Sequence, residues 1–218
     1  MRITPKTDGS MLEWTRVQGL QSDMPVVVSF FTDLFYLREA WELARSCQTF
    51  GLDYHILQVP DTGGWSQNTN HKPSFLADAV WKFKDRSVLW LDADARIRSF
   101  PSLLKDLHSP IAYHTIERKP ASGTVFLGRG HLREAVVERW IQEVADHPSL
   151  TDQVCMERAV NGLGVVRGEL PAEYCWIYDY DKGARQLLHP SPETCAPVIE
   201  HTQASRWFKL LMEKRRRK

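Results

Sequence analysis

Two nearly unbroken apolar runs, Val26-Val27-Val28-Ser29-Phe30-Phe31 and Val88-Leu89-Trp90-Leu91, most constrain what this chain can fold into. A strand with one face in water alternates apolar and polar residues; a strand covered on both faces does not. Both runs therefore predict buried strands in an α/β sheet. Between them, Leu37, Ala40, Trp41, Ala44 and Cys47 repeat at helical spacing, Gly51 stops that helix, and residues 54–59 read as a further strand. Strand, helix, strand is the right-handed parallel unit of α/β folds. The second run ends in Asp92-Ala93-Asp94. Side chains two apart on an extended segment point the same way, and open α/β sheets bind ligands at the C-terminal ends of their strands. Asp92 and Asp94 are thus placed to hold one hard cation, whose shell is commonly completed by substrate phosphates. A pair of solvated turn aspartates is the competing reading.

A chain of 218 residues fits one domain with a substantial core. Residues 1–24 are polar and read as an irregular N-terminal arm, residues 25–209 as the domain, and residues 210–218 as a basic C-terminal tail. Asp33 is placed to cap the first helix. A Gly- and Asn-rich loop spans residues 60–71 with Trp65 at its tip, and Pro73 opens a helix to Phe83. Further strands are expected at residues 111–114 and 124–127, and helices at residues 131–145 and, capped by Thr151, through Ala159. A last strand, Val198-Ile199, precedes His201.

No stretch is apolar for long enough to span a bilayer, and the first residues lack the apolar core of a signal peptide. The four cysteines, Cys47, Cys155, Cys175 and Cys195, show no metal-ligand spacing, so a reduced, cytoplasmic protein is expected. Residues 214–218 contribute +5 to a net charge of +1, leaving −4 on the rest of the chain. Such a tail suits contact with nucleic acid or an anionic membrane surface, or is a solvated terminus.

The order of motifs resembles the GT-A nucleotide-diphospho-sugar glycosyltransferases of the Asp-x-Asp type over residues 25–209. The residues that carry it are His71-Lys72-Pro73-Ser74-Phe75, the strand Val88 to Leu91 running into Asp92-Ala93-Asp94-Ala95, Asp152-Gln153 at a helix start, and His201 after Val198-Ile199. The resemblance implies a single GT-A-like (Rossmann-related) α/β domain with a mainly parallel central sheet and flanking helices. It implies transfer from a nucleoside-diphosphate sugar, a UDP-sugar first among them, assisted by Mn²⁺ or Mg²⁺. A divalent ion answers the need to stabilise a departing diphosphate. Asp94 becomes a direct metal ligand, Asp92 shares the metal or contacts the ribose, and His201 is the third ligand. Thr32, Asp33 and Tyr36 receive the nucleobase and ribose. Lys72 and Arg206, and after them Lys209, neutralise the diphosphate. Ser122 and Gly123 approach the donor sugar. Asp152 and Gln153 lie on the acceptor side, with Asp152 the general base that an inverting reaction needs.

Two segments depart from the family pattern. Leu170-Pro171-Ala172-Glu173-Tyr174 leads into Cys175 where an Asn is usual, and Thr202-Gln203-Ala204-Ser205-Arg206 lacks the usual Gly and Lys. Other functions compete. Haloacid-dehalogenase-like phosphatases also place Asp-x-Asp at a strand end, but on the first strand and followed by Thr or Val, whereas Ala95-Arg96 follow here. A non-catalytic nucleic-acid-binding protein would rest on the tail alone. The acceptor hydroxyl is open at this stage: a hydroxymethylated base in DNA, a glycan or a small molecule.

Overall fold

A computed structural model describes residues 11–18, 23–179, 186–187, 196–204 and 206. The first elements are β1 (Glu13–Arg16), β2 (Val26–Phe31), α1 (Leu34–Thr49), β3 (Tyr54–Gln58), α2 (Trp65–Asn70), α3 (Lys72–Lys82), β4 (Val88–Leu91) and β5 (Ala95–Ile97). After a 3-10 turn at Ser102–Lys105 come β6 (Ile111–Ile116), β7 (Lys119–Leu127), α4 (His131–Asp146), α5 (Asp152–Leu163) and β8 (Gly168–Glu169). A second 3-10 turn at Ala172–Tyr174 precedes β9 (Trp176–Asp179), β10 (Gln186–Leu187) and β11 (Ile199–His201).

The two apolar runs are neighbouring parallel strands, Val26 beside Val88 and Val28 beside Trp90, at the centre of a sheet ordered β1-β3-β2-β4-β7-β6-β8. Their side chains explain the missing alternation. Val27, Phe31, Leu89 and Leu91 face one apolar cluster with Leu43 and Ala44 of α1. Val26, Val28, Val88 and Trp90 face the other with Leu76 and Val80 of α3, Val136 and Trp140 of α4, and Met156 of α5. Every residue of β4 is buried, as a strand packed on both faces requires.

The parallel core β3-β2-β4 agrees with the sequence reading, but the sheet as a whole is mixed rather than mainly parallel. Strands β1, β7 and β6 each make an antiparallel pairing, to β3, β4 and β7 respectively. The cause at β6 and β7 is connection length: only Glu117 and Arg118 join them, and a two-residue hairpin cannot make a parallel pair. Both turn residues have positive φ, 49° and 66°, as a turn matched to strand twist demands.

Two further readings differ. Residues 13–16, expected within an irregular arm, form the edge strand β1, with Trp14 buried and stacked 5.4 Å from Phe31. A lone buried tryptophan in a polar stretch gives no periodicity to read. Residues 65–70, expected as loop, form the short helix α2 running into α3. The basic tail lies outside the described residues. A second sheet, ordered β10-β9-β11-β5, starts from the strand that immediately follows Asp94.

One buried cation secures α3 to α4. Arg133, 0% exposed, donates to the main-chain carbonyls of Val80, Phe83, Lys84, Arg86 and Gly128. The first three stand at or just past the C-terminal end of α3, where carbonyls lack helical partners and favour a positive charge.

His55 on β3 gives the fold a pH signature. Its Nδ1 lies 2.7 Å from Thr15 Oγ1 of β1, and its Nε2 3.3 Å from Lys82 Nζ. Burial first, then the Lys82 charge, hold the imidazole down at about 4, against a smaller opposing pull from Glu13. The unfolded chain binds a proton near the ordinary value of 6.5, so the unfolded state holds more protons between there and about 4. Stability is therefore full above that window and falls as pH drops through it. Thermal melts between pH 7 and 5 should show Tm falling less steeply in His55→Asn than in the unaltered protein. Parallel curves would remove His55 as the cause.

Candidate metal and donor site

The site assembles at the C-terminal rim of the parallel core, and a register shift in the sheet makes it. Tyr113 of β6 faces Val125 of β7, but His114 faces Ala121, so Ser122, Gly123 and Thr124 are extra residues in that ladder. A bulge of this kind redirects side chains next to a strand end. On its other edge β7 stays with β4: Thr124 pairs with Leu91, and the Asp92 amide donates to the Gly123 carbonyl at 2.9 Å. The three residues are thereby turned toward the end of β4.

Asp92, Asp94 and His201 converge there, with one ligand atom from each lying within 4.8 Å of the others. Their remaining polar atoms are anchored elsewhere, which orients them. Asp92 Oδ1 accepts from Trp90 Nε1 at 2.9 Å and lies 3.3 Å from Lys72 Nζ. Asp94 Oδ2 accepts from the Ala204 amide at 2.8 Å. His201 Nε2 meets Thr124 Oγ1 at 2.7 Å, and its Nδ1 lies 3.8 Å from Asp94 Oδ1. His201 reaches the cluster because β11 pairs with β5, setting His201 opposite Ala95.

Gly123 makes the room. A Cβ there would sit 3.0 Å from His201 Cε1, 3.2 Å from His201 Nδ1 and 3.3 Å from Asp92 Oδ2. Two carboxylates and one imidazole around a glycine-lined gap suit a divalent ion. Burial favours the neutral acid at Asp94, but the His201 hydrogen bond and charge, the Ala204 amide and the Arg96 charge outweigh it and hold the carboxyl below its usual range. Burial likewise disfavours the His201 cation, yet hydrogen bonds to Asp94 and Cys175 push it up to about 10. A divalent ion bound by these three residues would therefore have to displace the proton from the imidazole.

Behind this cluster runs a second set of contacts. Lys72, at the start of α3 and 3% exposed, places Nζ 2.8 Å from Asp152 Oδ2 and 3.2 Å from both the carbonyl and the hydroxyl of Ser122. Burial lowers its affinity for a proton, but Asp152 and then Asp92 more than offset this, and the ammonium is kept charged. Ser122 Oγ donates to Asp152 Oδ2 at 3.1 Å. Asp152 opens α5, and its carbonyl accepts from Trp140 Nε1 at 2.8 Å.

The remaining sequence candidates are dispersed around this centre. Thr32 and Asp33 follow β2 and so share the rim with Asp92, since β2 and β4 are parallel. Asp33 Oδ1 caps α1, accepting from the Phe35 and Tyr36 amides at 2.8 and 3.0 Å. Tyr36 is half-buried, edge-on to Phe35 and packed against the α1 face of the core. Gln153 is half-buried in the first turn of α5. Arg206 is exposed, past β11; Lys209 lies outside the described residues. Lys72, expected to neutralise the diphosphate, is buried between two carboxylates. Sequence reasoning missed Trp90, Thr124, Ala204 and Cys175. Trp90 was within reach, because it stands two residues before Asp92 on one face; the other three arrive through long-range pairing that leaves no local trace.

No known protein-family model matches the sequence, and no curated protein is similar to it in sequence. The fold is nevertheless shared with solved structures. One is a glycosyltransferase involved in the glycosylation of the major capsid of PBCV-1, with a TM-score of 0.62 at 12% identity, covering 85% of this chain and 98% of that one. Another is the bifunctional glycosyltransferase WbbM in its apo form, with a TM-score of 0.55 at 13% identity. That match covers 84% of this chain, which spans 46% of WbbM.

Gly123→Ala tests the gap directly. The added methyl meets buried side chains and a carboxylate rather than a flexible tip, so divalent-ion binding should be lost while the fold survives. Calorimetric titration with Mn²⁺ showing unchanged affinity would place the ion elsewhere.

Proposed function

We propose that this protein is a metal-dependent glycosyltransferase that moves a sugar from a nucleoside-diphosphate donor to an acceptor hydroxyl. The observation that carries the reading is the convergence of Asp92, Asp94 and His201 at the rim of the parallel core, in a fold shared with glycosyltransferases. A bound Mn²⁺ or Mg²⁺ would act as a Lewis acid on the diphosphate leaving group. Asp94 and His201 hold the ion with Asp92, whose position next to Gly123 also suits the donor ribose. Thr32, Asp33 and Tyr36 stand where the parallel strands release the chain and form the nucleoside side of the cleft. Arg206, the exposed cation past β11, faces solvent and suits the diphosphate better than Lys72.

Lys72 has a different part. Paired to Asp152 and Asp92, it holds the donor-side and acceptor-side carboxylates at fixed spacing. Both Ser122 and Lys72 contact Asp152 through Oδ2, which directs Oδ1 to the acceptor as the base, with Gln153 beside it. The phosphatase alternative needs a nucleophilic carboxylate, and Asp92 Oδ1 is already engaged by Lys72 and Trp90. Among the described residues no helix is long and apolar enough to cross a membrane. A hydroxymethylated base in DNA is the acceptor to test first, because the five basic residues 214–218 offset a body of net charge −4.

Thermal melts with a panel of nucleotide sugars should show stabilisation by one donor class, UDP-sugars first, only when Mn²⁺ is present. In Asp94→Asn that stabilisation should vanish with the apo Tm largely kept; full donor stabilisation in this variant would refute the metal assignment. Asp152→Asn should bind donor normally and transfer sugar about 10²- to 10⁴-fold more slowly. A normal transfer rate would leave Asp152 as a helix-start residue only. Transfer to duplex DNA carrying hydroxymethylated pyrimidines should weaken on deleting residues 214–218 and lose its salt dependence. A donor-bound enzyme that labels no DNA has a glycan or small-molecule acceptor instead.

A further inference from the structure

A buried cation next to the ligand turn is unused by the reading above. Arg96 lies on β5, two residues past Asp94, and is 9% exposed. Its Nη1 donates to the carbonyls of Ala95 at 2.7 Å, Glu39 at 3.0 Å and Ala93 at 3.4 Å. Its Nη2 pairs with the Glu39 carboxylate on α1. Ala93 and Ala95 flank Asp94, so one nitrogen grips the carbonyls of both neighbours of a metal ligand. The Asp94 carbonyl is held in turn by the amide and hydroxyl of Thr202, each at 3.2 Å. Three successive carbonyls of the turn are thus fixed from outside it. A carboxylate on so constrained a backbone has little freedom to leave the position that faces His201.

The chemistry of the grip is specific to these two side chains. A guanidinium presents several donors in a rigid plane and can reach two carbonyls and a carboxylate together; an ammonium presents one nitrogen. A buried guanidinium also needs an anion, which Glu39 supplies. We propose that Arg96, held by Glu39, is a positioning residue that sets the affinity of the Asp92–Asp94–His201 cluster for a divalent ion by fixing the Asp94 turn against α1. The inference rests on the metal-site reading above.

The test is binding of Mn²⁺ alone, followed by the electron paramagnetic resonance signal of the free ion, with thermal melts of every variant. Arg96→Lys keeps the charge and loses the fork, and should weaken Mn²⁺ binding about 10- to 100-fold, the usual cost of altering the groups that orient a ligand. Glu39→Gln still accepts from the guanidinium and should weaken it less. Val137→Ala, a core substitution in α4 remote from the turn, lowers Tm and should leave Mn²⁺ affinity unchanged. Asp94→Asn separates the two levels of argument. If Asp94→Asn loses Mn²⁺ while Arg96→Lys and Glu39→Gln bind it normally, the positioning role is overturned and the metal site stands. If Asp94→Asn itself binds normally, the metal reading falls and takes this inference with it. If Arg96→Lys does not fold, Glu39→Gln decides: normal affinity overturns the proposal. Equal weakening in Val137→Ala overturns it too, because the effect is then general destabilisation.

Discussion

The rest of the site depends on the placement of one ammonium group away from water. Lys72 Nζ stands between Asp152 and Asp92 with Ser122 beside it, joining α3, α5, β4 and β7 at a point. Removing such a charge from water is costly, and only close opposite charge with hydrogen bonds offsets it. Each partner is therefore needed by the other. Without Lys72, the buried Asp152 carboxylate would lose its counter-charge, a change that typically costs about 3–5 kcal/mol. The same ammonium lies 5.2 Å from the Trp90 ring, and Trp90 in turn donates to Asp92. Asp92, Asp152 and the central strand are thus one electrostatic unit, and the unit sits where the parallel strands end.

The Asp92–Asp94–His201 cluster is put together from contacts of very different range. Asp92 and Asp94 come from one turn, closed locally by the Ala95 amide donating to the Asp92 carbonyl at 2.9 Å. Gly123 and Thr124 come through the bulge in β7, some thirty positions later in the sequence. His201 comes last, through β11 pairing with β5. That final strand bonds on its other side to β9, so the small second sheet is what delivers the imidazole. The large sheet brings Asp92, Asp94, Gly123 and Thr124 together, and the small one adds His201.

What was legible in the sequence follows the same division. The apolar runs at Val26 and Val88 reveal their burial because a strand covered on both faces needs no alternation. Asp33 as a cap and Thr151 as a cap are likewise local consequences of short-range geometry; Asp92 and Asp94 do converge, but through the turn closed by the Ala95 amide rather than along the extended segment the sequence suggested. The loss of Trp14 and β1 has a local cause as well: a four-residue edge strand with a single buried side chain carries too little pattern to see. The bulge at Ser122 to Thr124 and the Ala204 amide on Asp94 were beyond reach, since neither has a signature within its own segment. Lys72 was legible as a cation at a helix start, but its two carboxylate partners were not. Whether a lysine faces a ligand or bridges two carboxylates is decided by burial, and burial of a single polar side chain is a tertiary fact.

Arg133 and Lys72 hold opposite ends of the same helix. Arg133 grips the carbonyls at the C-terminal end of α3, and Lys72 opens its N-terminal end, eleven residues away. At the usual rise, that is about 16 Å of rigid rod. A rod clamped at its far end cannot slide along its axis to adjust what its near end presents. The reach of the residue at position 72 is thereby set by side-chain length alone. A longer cation there would have to be accommodated by movement of Asp92 and Asp152, the two carboxylates it joins. Lys72 thus works as a gauge of the distance between those two carboxylates, and Arg133, at the other end of the helix, keeps that gauge zeroed.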